Sequence, residues 1–262
     1  MNLSISNIAW DKAHDDMVYG MMIEKGFTGL EIAPTRIIPY EPYEQKLKAA
    51  EWKDELEKKY GLKISSMQSI WSGRNERMFG SSDEREALIL YTKKAIEFAE
   101  SIGCSNLVFG CPKNRSVSKK EDFDIAVDFF GEVGDYALKH NTTVSMEANP
   151  PIYNTNFINY TKDAIGIVEK VNSKGFLINL DVGAMIENKE SVEILNGKVH
   201  LINHVHISEP GLKPIRKRRL HRELAQVLRN AQYGKFVSIE VGRQENPDVL
   251  LEMMEYVRDV FG

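Results

Sequence analysis

Four residues in the C-terminal half of the chain are of types that hold divalent ions, and each ends a strand-like run. Glu147 lies in VSMEANP, Asp181 in LINLDVG, His206 in NHVHISE and Glu240 in VSIEVGR. Glu147, Asp181 and Glu240 each fall six positions after a probable helix-ending residue, from Asn141, Gly175 and Gly234 respectively. Equal offsets on neighbouring strands put the three carboxylates at one height. His206 falls nine after Gly197, so its strand starts later or carries an irregularity. Three converging carboxylates repel one another unless protons or a cation intervene. Three oxygens and one imidazole suit one divalent metal ion, manganese, magnesium or cobalt before zinc.

The elements that must position these groups are marked by a recurring signal. Gly26, Gly61, Gly103, Gly175, Gly197 and Gly234, with Asn141, each close a helical stretch just before a strand-like run. Gly and Asn are the residues that end helices in the left-handed conformation. With an opening strand near Leu3–Ile8, these seven junctions give eight strands. Helical patterns run near 12–25, 44–60, 121–139, 160–172, 219–232 and 248–260, and Leu88, Tyr91, Ala95, Phe98 and Ile102 form one apolar stripe of a further helix. Ser81-x-x-Glu84 and Ser118-x-x-Glu121 read as capping boxes. Between Gly175 and Gly197 there is room only for a stunted helix. Eight β-then-α units predict a single-domain (β/α)8 TIM barrel over residues 1–262, with its chemistry at the C-terminal strand ends. An open doubly wound sheet is the alternative, but no G-x-G-x-x-G follows any strand.

Composition narrows the function classes. The 262 residues carry 34 Lys+Arg against 38 Asp+Glu, a net charge of −4 that offers no global attraction to nucleic acid or an anionic membrane. No apolar run reaches the ~18 residues of a membrane span. MNLSISNIAWD lacks the basic and apolar regions of a signal peptide, so a cytoplasmic location is expected. Cys104 and Cys111 are too few for a disulfide framework and match no zinc spacing.

EANPPIYNTNF, LDVGAM, HVHISEP and FVSIEV resemble motifs of the xylose-isomerase-like TIM-barrel superfamily. The likeness covers most of the chain and is most specific from about Thr142 to Val241. That superfamily includes sugar-phosphate isomerases and epimerases, ketose 3-epimerases, hydroxypyruvate isomerases, inosose dehydratases and endonuclease IV. In the ketose epimerase branch a Glu, Asp, His and Glu on strands five to eight hold one divalent metal, and the two glutamates exchange a proton on opposite faces of the sugar. The resemblance assigns the metal to Glu147, Asp181, His206 and Glu240, and acid–base catalysis to Glu147 and Glu240. One departure stands out. The branch usually reads Asp-x-x-His, whereas Asp181 is followed by Val182, Gly183 and Ala184, whose side chain neither donates nor accepts.

The implied activity is isomerisation or epimerisation of a sugar, sugar phosphate or related polyhydroxy carbonyl compound. A dehydratase using the same proton abstraction and a sugar-binding barrel without turnover are the rivals. A nuclease like endonuclease IV would need more histidines than the strand ends supply. Members of the superfamily are often dimers or tetramers, which leaves a homo-oligomer open.

Weaker candidates surround this core. His204 shares a face with His206 and either orients a ligand or is an ordinary barrel histidine. Glu31, in GLEIAP, either reaches substrate across the mouth or is a loop carboxylate. Trp10 and Trp71, after strands one and three, either wall the pocket or pack. Lys213 and Arg216 open the basic run KPIRKRRLHR, where phosphates often bind in such barrels, and Arg243 is a further anion contact. The basic charges at that helix start call for a compensating external anion. His221 fits a surface helix start, and His14 and His140 lie on uninvolved helices.

Overall fold

The computed structural model describes residues 1–117 and 122–262, so the expected Ser118–Glu121 capping box lies outside the described residues. Among the described residues, eight parallel strands close into a barrel: β1 (Asn2–Ser6), β2 (Gly29–Ile32), β3 (Lys63–Met67), β4 (Leu107–Phe109), β5 (Val144–Glu147), β6 (Phe176–Asp181), β7 (Ile202–Ile207) and β8 (Phe236–Ile239). Each pairs with the next, and β8 pairs with β1, so no strand edge is left open. Around them lie α1 (Asp15–Glu24), α2 (Pro34–Ile37), α3 (Lys46–Tyr60), α4 (Ser82–Ser101), α5 (Asp122–Lys139), α6 (Thr161–Val171), α7 (Val182–Glu187), α8 (Arg219–Asn230) and α9 (Pro247–Phe261). This is the expected TIM barrel, with α7 as the stunted sixth helix.

Local chemistry accounts for the elements. The stripe Leu88, Ala95, Phe98 and Ile102 is buried on α4, and the Ser81–Glu84 capping box opens that helix with both reciprocal bonds made. Gly26, Gly61, Gly103, Asn141 and Gly197 adopt positive φ as expected. Gly175 and Gly234 do not. Asn172 (φ 52°) and Gln232 (φ 55°) take the left-handed positions after α6 and α8 instead. Gly175 is needed for space, since a Cβ there would sit 1.9 Å from the Gly134 carbonyl oxygen on α5.

The barrel interior is unusually polar. Ser4 and Ser65 hydroxyls meet at 2.5 Å; Asn106 donates to Ser66 at 2.8 Å and accepts from Ser145 at 2.6 Å and Asn203 at 2.8 Å. Such pairing offsets the cost of burying these groups. Above this layer the strands rise to the site.

β7 resolves the odd offset of His206 in two ways. A 3-10 turn, Val199–Leu201, delays its start, and its pairing with β6 slips by one residue between Ile202 and His204. Asn203 is the extra residue, and His206 then pairs opposite Asp181.

Gly175→Ala should therefore destabilise the protein by about 1–3 kcal/mol through forced overpacking. Gly234→Ala, with nothing within 4 Å of its added Cβ, should stay within about 0.5 kcal/mol of the wild type. Urea unfolding of the two variants separates a packing glycine from a merely tolerated one.

Candidate metal centre

Asp181, Glu147 and Glu240 stand at or just beyond the ends of β6, β5 and β8, and His206 one residue before the end of β7. One ligand atom from each lies within 4.8 Å of all the others. His206 is the hub. Its Nδ1 lies 3.1 Å from Glu147 Oε1 and 3.1 Å from Glu240 Oε2, while its Nε2 lies 2.7 Å from Glu31 Oε2. Nδ1 thus faces the carboxylates at the mouth, and Nε2 faces the barrel interior.

Neighbours fix each carboxylate. Asn179 Nδ2 donates to Glu147 Oε1 at 2.7 Å, and Asn149 Nδ2 donates to Oε2 at 3.0 Å. Ser208 donates to Asp181 Oδ2 at 2.6 Å, and Asp181 Oδ1 caps α7 by accepting from the Ala184 backbone N–H. The position that lacks a polar side chain therefore still serves the site through its main chain. Two glycines leave room: a Cβ at Gly110 would come within 2.9 Å of Glu147 Oε2, and one at Gly183 within 2.8 Å of Ser208 Oγ. Behind β5, fully buried Arg115 donates to the Glu147 carbonyl at 3.0 Å. Burial lowers its pKa to about 10, so it remains a cation.

The electrostatics are those of a site short of positive charge. Burial pushes the Asp181 carboxyl up to about 8, with repulsion from Glu147 and Glu240 adding to it. Burial raises Glu240 as well. Burial opposes charge on His206, yet Glu240 and Glu31 overcome it and hold the imidazole well above its usual value. Glu31 moves the other way, because His206 and His204 more than offset its burial. A hard divalent ion among three carboxylates and one imidazole nitrogen would relieve this repulsion, and the donor set fits such an ion.

Glu31 is not at the mouth. It is fully buried beneath His206, 3.4 Å from His204 Nε2, and its Oε1 accepts from Gln68 Nε2 at 3.3 Å. The carboxylate is close enough to keep the Nε2 proton of His206, which leaves Nδ1 for a metal, the arrangement in which an outer partner orients a ligating histidine. His204 packs edge-on to His206 in the same interior layer.

The other expected contacts are elsewhere. Trp10 is buried, with Nε1 bonded to Asp15 at 2.8 Å and its ring edge-on to Tyr19. Trp71 bonds Thr92 and packs on Phe109 and Phe129. Both loops turn their indoles back into the shell between strands and helices. Lys213, Arg216 and Arg243 are exposed, and Arg243 pairs with half-buried Asp11 at 3.0 Å. The anion that compensates the basic run is internal: Glu209 binds Arg218 through both oxygens, one at 2.7 Å, and accepts the Arg216 N–H at 3.1 Å. His221 is fully buried rather than on the surface, because it faces α9 and meets the Tyr256 hydroxyl at 3.0 Å; burial lowers its pKa to about 4.

Above the ligands lies a cavity of about 200 Å³. It is lined by Glu147, Asp181 and Glu240 and by residues the sequence reading passed over, chiefly Gln68, Asn149, Tyr153, Ser208 and Glu209. Some had a signal. Asn179 sits two residues before Asp181, on the same strand face, and Ser208 two after His206. Gln68 and Arg115 had none.

The closed strand order and surrounding helices define a (β/α)8 barrel, with the carboxylate cluster at its C-terminal face. The chain belongs to the xylose isomerase-like TIM-barrel family, whose profile matches residues 22–260. No curated protein matches the chain in sequence. Among solved structures it is similar to D-psicose 3-epimerase from Clostridium cellulolyticum H10, at 15% identity and TM-score 0.82, covering 100% of this chain and 99% of that one. It is also similar to 3-keto-D-glucoside 4-epimerase from E. coli, at 19% identity and TM-score 0.79, covering 99% of each. A probable 3-DHS dehydratase from Bacillus anthracis aligns at 18% identity and TM-score 0.72, over 97% of this chain and 98% of that one. At these identities the likeness establishes the fold.

Two predictions follow from the charge arrangement. Asp181, Glu240 and His206 all have raised pKa values, so the folded chain binds protons that the unfolded chain releases. Their stabilisation is present at low pH and lost as pH rises, whereas the lowered Glu31 contributes the opposite slope around and below ordinary carboxylate values, and His204 and His221, lowered by burial, contribute it up to the ordinary histidine value. Above that value only the loss remains, so the metal-free protein should lose stability from about pH 6.5 to about pH 8, and Mn²⁺ should abolish that loss. Urea midpoints in chelator that stay level across this range would contradict the charge balance. Separately, Glu31→Ala should weaken Mn²⁺ binding by roughly 10- to 100-fold, read by calorimetric titration, with Glu31→Gln falling between it and the wild type.

Proposed function

We propose that the protein is a divalent-metal-dependent epimerase or isomerase of an uncharged polyhydroxy carbonyl compound. The observation that carries this reading is the pairing of Glu147 and Glu240 around one imidazole nitrogen at the cavity floor, each 3.1 Å from His206 Nδ1. A C–H bond next to a carbonyl is weakly acidic. When bound, the metal would act as a Lewis acid that polarises this carbonyl. One glutamate then takes the α-proton and the other delivers a proton to the opposite face or to the neighbouring carbon. Asn179 and Asn149 hold Glu147 still for that transfer. The sugar epimerases among its structural neighbours support the same class of chemistry.

The lining supports an uncharged substrate. Among the described residues it offers carboxylates, amides and hydroxyls but neither Lys nor Arg. A phosphate would enter a negative field without a partner. Arg218, the inward member of the basic run, is already held by Glu209.

The test is metal analysis followed by incubation of the loaded protein in D₂O with free ketoses, inososes and sugar phosphates, read by NMR. Deuterium should enter one carbon of a neutral substrate, and Glu147→Gln and Glu240→Gln should each slow that exchange by about 10²–10⁴-fold. Exchange with loss of water would make the protein a dehydratase. Metal binding with no exchange across the panel would make it a binding protein, and preference for phosphates would overturn the neutral-substrate reading.

A further inference from the structure

Asn149 stands apart among the cavity residues because its amide has one settled end and one vacant end. Its Nδ2 lies 3.0 Å from Glu147 Oε2 and 3.2 Å from the Ala148 carbonyl oxygen. Both neighbours are acceptors, so only the nitrogen can face them and the amide cannot be reversed. Oδ1 must then face the other way. It is buried, in a residue 7% exposed, and has no partner among the described residues. An unpaired buried acceptor costs free energy unless something else satisfies it.

The space in front of Oδ1 is the cavity above Gly110. A Cβ on Gly110 would lie 3.6 Å from Asn149 Oδ1 and 2.9 Å from Glu147 Oε2, so both oxygens look into the volume that this glycine leaves bare. The main chain of Asn149 is pinned on both sides: its N–H donates to Ile158 O at 3.0 Å and its carbonyl accepts from Asn159 Nδ2 at 2.7 Å. The backbone thus holds Asn149 at the cavity wall, and the two Nδ2 contacts hold its amide.

Glu147 divides its oxygens accordingly. Oε1 faces Asn179 and His206, and Oε2 faces Asn149 and the cavity. Resting on the proton-transfer reading above, we propose that Asn149 is a substrate-contacting catalytic residue. Its Nδ2 aims Glu147 Oε2 at the carbon that exchanges its proton, and its Oδ1 accepts a hydrogen bond from a substrate hydroxyl beside that carbon. The site thus requires a hydroxyl donor there, which makes Asn149 a determinant of specificity as well as of rate.

The Mn²⁺-loaded wild type and Asn149→Ala are compared in D₂O with D-fructose, D-tagatose and D-psicose, then with the monodeoxy analogues of whichever exchanges. Asn149→Ala should lower kcat by roughly 10- to 100-fold, the effect of losing a hydrogen bond to a charged group, while its Mn²⁺ affinity should fall by less than the roughly 10- to 100-fold that loss of a partner on a metal-bound oxygen costs, because the Oε1 side is untouched. The wild type should lose about tenfold or more on one deoxy analogue, and Asn149→Ala should show no such loss, since the acceptor that reads the hydroxyl is gone. Asn149→Ser is the second variant should melting curves show Asn149→Ala unfolded, with the same outcomes expected. Wild-type-like kcat in the variant, or equal use of all deoxy analogues by the wild type, overturns the assignment. Absence of exchange by the wild type with every ketose overturns the proton-transfer reading and Asn149's role together, and is told apart because failure of Asn149 alone leaves wild-type exchange intact.

Discussion

Everything at the mouth depends on one imidazole with both nitrogens committed. His206 meets Glu147 and Glu240 through Nδ1 at the cavity floor and Glu31 through Nε2 in the closed barrel centre below. Each carboxylate alone would be costly to bury. Together they set up a charge deficit that a divalent ion and the imidazole can balance, and the polar shell of Asn179, Asn149, Ser208 and Gln68 holds the members in place. The barrel contributes rigidity, since the carboxylates cannot retreat from one another without moving strands.

The fold was legible because its punctuation is local. Gly26, Gly61, Gly103, Asn141 and Gly197 adopt the conformation their positions implied, and hydrophobic periodicity did the rest. Even where the reason differed, as at Gly175, the boundary was correct, because packing and helix termination both place a glycine there. The three mouth carboxylates were legible on the same basis: equal distances from a strand's preceding Gly or Asn become equal heights on parallel strands, while His206, at nine positions instead of six, was legible only from the alternation of HVH.

What was not legible depends on contacts across the barrel or on the path of a loop. Glu31 and His206 are 175 residues apart and meet only after closure. Trp10 and Trp71 follow strands, as pocket walls do, but the direction of an indole is set by the helix it meets. The run KPIRKRRLHR looked like an anion receptor because its answering charge, Glu209, is a loop residue whose direction no periodicity reveals.

The spacing within HVH gives the site a hidden dependence on counting. Asn203 absorbs the one-residue slip between β7 and β6, and beyond it His204, Val205 and His206 pair one for one with Asn179, Leu180 and Asp181. Removing Val205 would keep every chemical group of the site in the chain, yet would set the two histidines on opposite faces of the strand. The centre is thus written as a phase as much as a composition. A change that shortens HVH by one residue would disable it more thoroughly than many substitutions at its rim, whereas length changes beyond the strand's ends would leave the phase untouched.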